Sequence, residues 1–384
     1  MKETILLVHN YYQFAGGEDT VVSNEKRMLE EYGHKVVLFT KDNRELNSSI
    51  IKKVLLPFTT LWSWSSFFEV RRIIKKEKID IVHCHNTLPL ISPSVYYAAL
   101  SMKVPVAQTV HNFRFVCPNA VFFCNGKICE KCYESNSFVP AVKNKCYRDS
   151  TLQTFVLSLM LRFHRIIGTY NRIFYIFLTD FNRKKFDKLI NVDSDKVFVK
   201  PNFVEEIEYV QHNIDDTYVF AGRLDESKGI KILIEYWKKL PKSYILHIYG
   251  DGPLKEFVEN NSSDNIKYMG FQNKEVIYKD MAKSTATVFP GMLYEGYPMS
   301  IAESLSVGCP VLSSNIGNSA EIVVSSGGGT VFDLGDVDSF VCAIEKVRSN
   351  NAKMRKNAHD YYEKYLNKKK NIVMLEEIYK KMSL

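Results

Sequence analysis

Nine consecutive residues concentrate the chemistry: Glu295-Gly296-Tyr297-Pro298-Met299-Ser300-Ile301-Ala302-Glu303. The apolar run Ala286–Phe289 ahead of them reads as a strand. Gly296 supplies a tight turn. Pro298 suits the first position of a helix, which the pattern carries through Glu303 to Val307 and stops at Gly308. Glu295 then sits on a loop above a strand end, and Glu303 lies one turn inside the helix. The N–H groups at the helix start, near Met299, Ser300 and Ile301, point outward and form an anion site together with the helix dipole. One carboxylate can hold sugar hydroxyls, the helix start a diphosphate, and the other carboxylate a ribose diol.

A second group precedes it, Gly222-Arg223-Leu224-Asp225-Glu226-Ser227-Lys228-Gly229. A strand ends at Ala221, so Arg223 and Lys228 fall on the loop that follows. Two fixed cations at the mouth of a parallel sheet suit a leaving diphosphate, because they act most strongly where negative charge develops. Gly250-Asp251-Gly252 adds an acidic loop. In the first half, Gly16-Gly17, His83-Cys84-His85-Asn86 and His111-Asn112 also sit at predicted strand ends. His83 and His85 alternate along a strand and share a face. They could bind a metal, but no third ligand lies near in sequence, and the reading favours lining of an acceptor cleft.

These residues need a frame to position them. The chain has 384 residues, and single cores stop growing at roughly 250–300 residues, so two domains are expected. Apolar residues make up 46% and charged residues 24%, ordinary for a globular chain and against dominant disorder. The formal charge of +8 fits an anionic partner without choosing among nucleotide sugar, phospholipid and nucleic acid. Strands are predicted at Ile5–Val8, Lys35–Thr40, Ile79–His83 and Val104–Val110, with helices at Val21–Tyr32 and Ser92–Met102 between them. The second half repeats the alternation at Tyr218–Ala221, Ile245–Tyr249, Ile266–Met269, Ala286–Phe289 and Val311–Ser313. Strands alternating with helices imply parallel sheets that bind ligands at the carboxyl ends of their strands. A doubly wound α/β fold follows, with the domain boundary near Val192–Val204 and a helical tail from Asn351. No signal peptide is expected, and no stretch is long and apolar enough to span a membrane.

Gly16-Gly17, His111, Gly222-Arg223-Leu224 with Lys228-Gly229, Gly250-Asp251-Gly252-Pro253 and the glutamates at 295 and 303 together resemble the family 4 glycosyltransferases of the GT-B fold, in order and over nearly the whole chain. The resemblance implies two Rossmann-like domains facing across a cleft: residues 1–195 on the acceptor side, 196–360 binding the nucleotide sugar, and 361–384 a helix packing back toward the first domain. It implies retention of anomeric configuration, a sugar nucleotide donor and no metal in the chemistry. Glu303 would bind the ribose and Glu295 the donor sugar. Arg223 and Lys228 would neutralise the diphosphate. Gly16 and Gly17 would let the first loop approach donor and acceptor, and His111 would lie beside the transferred sugar. Gly250, Asp251, Gly296, Met299 and Ser300 complete the expected donor site.

Cys117, Cys129, Cys132 and Cys146 form Cys-x11-Cys-x2-Cys-x13-Cys, a spacing that suits a structural tetrahedral zinc. The alternative is reduced, metal-free cysteines packed as small hydrophobes. The surrounding segment resembles an insertion carried by a subgroup of the family, in which Cys124 is the dispensable thiol. Two further segments mix apolar bulk with positive charge. Lys52–Lys78 holds Trp62, Trp64, Phe67 and Phe68. A helix near Thr151–Lys188 carries seven basic residues, among them Arg162, Arg165 and Arg172, against two acidic ones. Such a helix suits an anionic membrane surface, or else buries its apolar face and solvates its charges. The expected enzyme is a cytoplasmic hexosyltransferase, peripheral on the inner face of the plasma membrane. It would act on a glycan or polyprenyl-diphosphate-linked acceptor in assembly of lipopolysaccharide or capsule, without a nucleic-acid partner. The rivals are a GT-B epimerase acting on the donor alone, and a non-catalytic nucleotide-sugar-binding protein, which intact Glu295, Glu303, Arg223 and Lys228 argue against.

Overall fold

The computed structural model of the chain describes residues 2–13, 17–48, 50–187, 192–205 and 215–383. It divides into two compact units. One comprises Met1–Cys124, Cys129–Lys200 and Ile372–Leu384; the other comprises Asn125–Ile128 and Pro201–Asn371.

The first unit is built on six parallel strands: β1 (Thr4–Tyr11), β2 (Lys35–Asp42), β3 (Ile81–Asn86), β4 (Val106–Val110), β5 (Phe174–Phe177) and β6 (Val197–Val199), in the order β2-β1-β3-β4-β5-β6. Ile5 to Val8 are fully buried, as a strand covered on both faces requires. Register between β1 and β3 shifts at Val8/His9. The order reverses beside β1, so the loops after β1 and β3 open on either side of a crevice.

The second unit repeats the plan with β7 (Asp215–Ala221), β8 (Ile245–Tyr249), β9 (Ile266–Gly270), β10 (Ser284–Phe289), β11 (Val311–Ser314) and β12 (Gly329–Phe332), in the order β9-β8-β7-β10-β11-β12. Its core packs Tyr218, Leu233, Trp237, Leu246, Ile248 and Phe340 between sheet and helices. The crevice here lies between β7 and β10. The loops after these strands carry Arg223, Lys228 and Glu295.

The predicted single helix near Thr151–Lys188 is corrected to a helix, a strand and a second helix: Thr151–Ile166, then β5, then Asp180–Asp187. Ser150 caps the first helix by accepting from the Gln153 N–H at 3.3 Å, and Gly168 turns the chain at φ +68°. The run Phe-Tyr-Ile-Phe then completes the sheet, where its aromatic and β-branched side chains are buried. Lys188 lies outside the described residues. The C-terminal tail is interrupted: helix Asn351–Tyr361 passes through a π turn to Asn367 before helix Lys368–Met382. Among the described residues no helix is long and apolar enough to cross a membrane.

Candidate active site

In the second unit, the loop after β7 is stitched to the loop after β10. Asp225 accepts from the Ser227 hydroxyl at 2.6 Å and from the Lys228 N–H at 3.2 Å, which folds the loop into one turn. The Met292 N–H donates to the Ser227 carbonyl at 2.9 Å. Gly229, at φ +70°, lies so close to Pro290 that a Cβ would sit 2.0 Å from its carbonyl oxygen. This close approach needs glycine. It brings the Lys228 ammonium against the Glu295 carboxylate and 5.8 Å from the Phe289 ring centroid. Arg223 is mostly exposed and pairs loosely with Asp225 at 3.4 Å.

The Asn318 side chain donates to the carbonyls of Glu295 and Gly296, the latter at 2.7 Å, and so clamps the turn before the helix Met299–Ser306. Pro298 takes the N-cap position and provides no side-chain cap. Its carbonyl accepts from the N–H groups of Ile301 at 3.1 Å and Ala302 at 3.3 Å. The expected anion site therefore narrows to Met299 and Ser300, since the Ile301 N–H is used. Glu303 lies one turn on. Its carboxylate takes the Lys274 ammonium at 2.6 Å and accepts from the Tyr278 hydroxyl. Sequence reasoning missed both partners, which come from the helix Lys274–Lys283. Asp251 is exposed, and its carboxylate accepts from the Gly252 N–H at 2.8 Å, shaping its own turn. Gly250 packs backbone to backbone against Gly222.

In the first unit, Gly17 opens the helix Gly17–Glu31, and among the described residues nothing lies within 4 Å of where its Cβ would be. Gly16 falls outside the described residues. Next to Gly17, burial pushes the Glu18 carboxyl up to about 7, against the opposing bond from Tyr12 at 2.9 Å. His111 is half-buried beside Asn86, Asn112 and Arg114 at the carboxyl edge of β3 and β4. Burial, reinforced by His85, holds its pKa well below the usual imidazole value.

His83 and His85 share a face, with ring centroids 4.5 Å apart. The cleft-lining expectation is corrected for His83, which is 0% exposed; His85, at 3%, still lines the small cavity that holds His111. Burial lowers His83 to about 3. Its ring nitrogens meet the Tyr379 and Thr109 hydroxyls, each at 2.7 Å. Glu25, far away in sequence, is the third ligand-type group that the spacing could not reveal. Among the described residues, Glu25, His83 and His85 form a group whose ligand atoms lie within 4.8 Å of one another. Burial opposes ionisation of Glu25, but Lys200 at 3.4 Å and the two histidines outweigh it and hold the carboxyl well below its usual range. With an ammonium already neutralising the carboxylate, the trio is an internal polar network and not a cation site.

Cys117, Cys129, Cys132 and Cys146 line one small cavity, and Cys124 lines it with them. All are free thiols. Burial pushes Cys132 up to about 11 and Cys146 up to about 12, so neither is a ready nucleophile.

Comparison with known proteins accords with this geometry. The family model described as Glycosyltransferase Family 4 matches residues 15–206, and the one described as Glycosyl transferases group 1 matches residues 205–365. The chain belongs to glycosyltransferase family 4. An Escherichia coli relative described as a UDP-Gal:alpha-D-GlcNAc-diphosphoundecaprenol alpha-1,3-galactosyltransferase is 25% identical over 328 residues, covering 82% of this chain and 78% of the relative. The solved lipopolysaccharide outer core galactosyltransferase WaaB superposes with a TM-score of 0.66 at 15% identity, covering 98% of both chains. Anabaena Alr3699/HepE in complex with UDP gives a TM-score of 0.66 at 15% identity over 100% of both. The fold of this glycosyltransferase is GT-B.

Proposed function

We propose that this glycosyltransferase moves a hexose-type sugar, with retention and without a metal ion, from a nucleotide-diphosphate sugar to a hydroxyl of a polyprenyl-diphosphate-linked glycan in surface polysaccharide assembly. The observation that carries the reading is the Lys228–Glu295 pair beside the uncapped start of helix Met299–Ser306. Without ligand the two charges satisfy each other. A donor diphosphate would draw Lys228 and Arg223 to its oxygens and leave the Glu295 carboxylate for sugar hydroxyls. Glu303 would take the ribose. The bond from the sugar's anomeric carbon to the departing phosphate oxygen breaks on the face where the acceptor oxygen bonds, and that phosphate oxygen takes the acceptor proton. Arg223, Lys228 and the helix N–H groups stabilise the growing phosphate charge.

The lipid-linked acceptor is supported by the E. coli relative's described substrate and by the surface of the first unit. On helix Thr151–Ile166, Leu152, Phe155, Leu159 and Ile166 are 68%, 53%, 49% and 74% exposed along one face. Phe58, Trp64 and Phe68 are exposed at 71%, 62% and 61%. Arg162 and Arg172 are exposed as well. An apolar stripe with basic neighbours suits peripheral attachment at the inner membrane face. The shared cavity supports a structural zinc with Cys117, Cys129, Cys132 and Cys146 as its thiolate ligands, whose role would be to hold the segment that follows His111. That segment places Ala120, Phe122, Asn125, Lys145, Arg148 and Asp149 at positive φ, a costly backbone that a cross-link would help to hold.

Calorimetry with UDP, GDP and ADP tests the donor reading, with UDP first because UDP is named for both the E. coli relative and the Anabaena complex. Glu303→Ala removes the acceptor for a ribose hydroxyl. A hydrogen bond to a charged group is worth about 1.5–3 kcal/mol, so nucleotide affinity should fall roughly 10- to 150-fold. Equal affinity in wild type and variant would remove the ribose assignment. A product of inverted anomeric configuration would overturn retention, and turnover of the donor alone would favour an epimerase.

A further inference from the structure

The first unit carries a groove of about 560 Å³ between the short helix Val139–Lys143 and the helix Thr151–Ile166. The volume falls in the range of ligand pockets, about 300–1,000 Å³. One wall is apolar and exposed, formed by Val139, Phe155, Leu159 and Ile166. The span from Phe155 to Ile166, at 1.5 Å per residue, makes a row about 16 Å long. Three cations, Lys143, Arg162 and Arg165, line the same groove, and no acidic residue does. Lys143 and Arg162 are exposed. Arg165 is largely buried. Its Nη2 donates to the Phe115 carbonyl, and its guanidinium lies 4.7 Å from the Phe138 ring centroid. Its Nε is shut off from water without a partner, which leaves Nη1 as the open donor. Burial holds the Arg165 pKa below the usual guanidinium value, and no carboxylate compensates. Buried charges are ordinarily paired, because their desolvation is costly. Ser158, 6% exposed, lines the groove as well, and its hydroxyl has no hydrogen-bond partner, where buried hydroxyls normally have one.

We propose that this groove is a site for one lipid phosphate, with its phosphate held by Lys143, Arg162 and Arg165 and its hydrocarbon chain laid along Phe155, Leu159 and Ile166. The complementarity is double. Helical side chains lean toward the helix N-terminus, so Arg162 and Arg165 run back toward the turn that carries Ser158 and converge on one end of the groove. Three converging cations exceed what a single carboxylate can neutralise. A phosphate monoester carries about −1.5 to −2 and offers the oxygens that guanidinium donors match. The straight apolar row suits a linear chain. Attachment through the exposed stripe alone would take many lipids in proportion to their charge, whereas the groove takes one chain and reads its head. The site lies within the first unit and does not depend on the donor reading.

The test is isothermal titration of the full chain with decyl phosphate below its micelle concentration. One molecule should bind per chain, saturably. Decanoate, decanol and inorganic phosphate each lack part of the ligand and should bind roughly tenfold more weakly or not at all. Arg162→Gln removes an exposed cation and should weaken decyl phosphate roughly tenfold. Val139→Trp places a bulky side chain at the exposed lip of the groove and should weaken it severalfold. Both variants should keep the parent melting temperature and UDP affinity. Absence of saturable binding, several molecules per chain, equal affinity for any of the three partial ligands, or full affinity in Val139→Trp overturns the proposal. The wild-type titration decides by itself even if a variant folds poorly. Its failure leaves the donor reading standing, because UDP binding is measured separately on the same protein.

Discussion

Gly250→Ala tests whether the donor loops are held by backbone contact. Gly250 stands at φ +138°, a region nearly closed to residues with a Cβ, at a cost of about 1–3 kcal/mol. A Cβ placed there would lie 1.9 Å from the Gly222 carbonyl oxygen. Ordinary contact needs more than an ångström of additional separation, and the obstructing atom is backbone, so no rotamer relieves it. Overpacking of this kind costs about 1–3 kcal/mol. Together the two effects predict a loss of about 2–6 kcal/mol. At about 2–4 °C per kcal/mol for a unit of this size, the melting temperature should fall by roughly 4–24 °C. The strain is also local to function. Gly222 precedes Arg223, and the Leu224 N–H donates to the Asp251 carbonyl at 2.9 Å, so relief must move the loop that carries Arg223 and Lys228. Differential scanning calorimetry gives the stability and isothermal titration gives UDP affinity, with Gly17→Ala as a control for stability. An unchanged melting temperature would refute the packing argument. A destabilised protein with full UDP affinity would refute the coupling of the two loops.

Acid should destabilise the protein. His9 is held at about 4 and His83 at about 3 by burial, with His111 well below its usual value, so between pH 6.5 and about 4 the unfolded chain binds the extra protons and stability is lost as pH falls. Glu18, raised to about 7, works in the opposite sense between 4.5 and 7, but it is one group against three. Urea midpoints at pH 7 and pH 5 should differ in favour of pH 7, by an amount on the order of a few kcal/mol, and equality would contradict the sign. Anaerobically purified protein should carry about one zinc per chain by elemental analysis, as a closed structural site requires, yet keep its transfer rate in a short assay with EDTA. Immediate, magnesium-reversible loss of activity would contradict metal-free chemistry. Changing Arg162 and Arg172 to Glu should release the protein from anionic liposomes at low salt, at about 1 kcal/mol per basic group near the surface, with donor binding intact. Arg165 is left out because its guanidinium donates to the Phe115 carbonyl and stacks 4.7 Å from the Phe138 centroid.

The residues proposed for the donor stand out in the sequence because they are contiguous. Glu295 and Glu303 are separated by one turn and the start of one helix, and Arg223 and Lys228 share one loop. A strand, a glycine turn and a helix start are local patterns, and locality is what a single sequence displays. Two features of the same region were not legible. Lys274 and Tyr278 reach Glu303 from a different helix, and Gly250 matters through Gly222, on a neighbouring strand. The misread helix has a similar origin. Phe174–Phe177 is four residues long, and its apolar character matches either a buried helix turn or a core strand. The neighbours β4 and β6 decide it, and the sequence pattern does not contain them.

The histidines show the limit most sharply. His83 and His85 were readable as a pair on one face of a strand, but a pair of imidazoles in sequence has no sign. Beside open solvent they would be ligands for a substrate. Beside Glu25, Lys200 and Tyr379 they are part of a buried polar cluster. The residues that settle the matter stand at positions 25, 200 and 379, drawn from the first helix, from the segment after β6 and from the last helix. The C-terminal helix thus contributes Tyr379 to the same interior. Burial strengthens the electrostatic interactions within such a network, and so ties its members together. Truncating Glu25 should therefore destabilise the unit, by about 3–5 kcal/mol, because it removes the carboxylate that Lys200, His83 and His85 share.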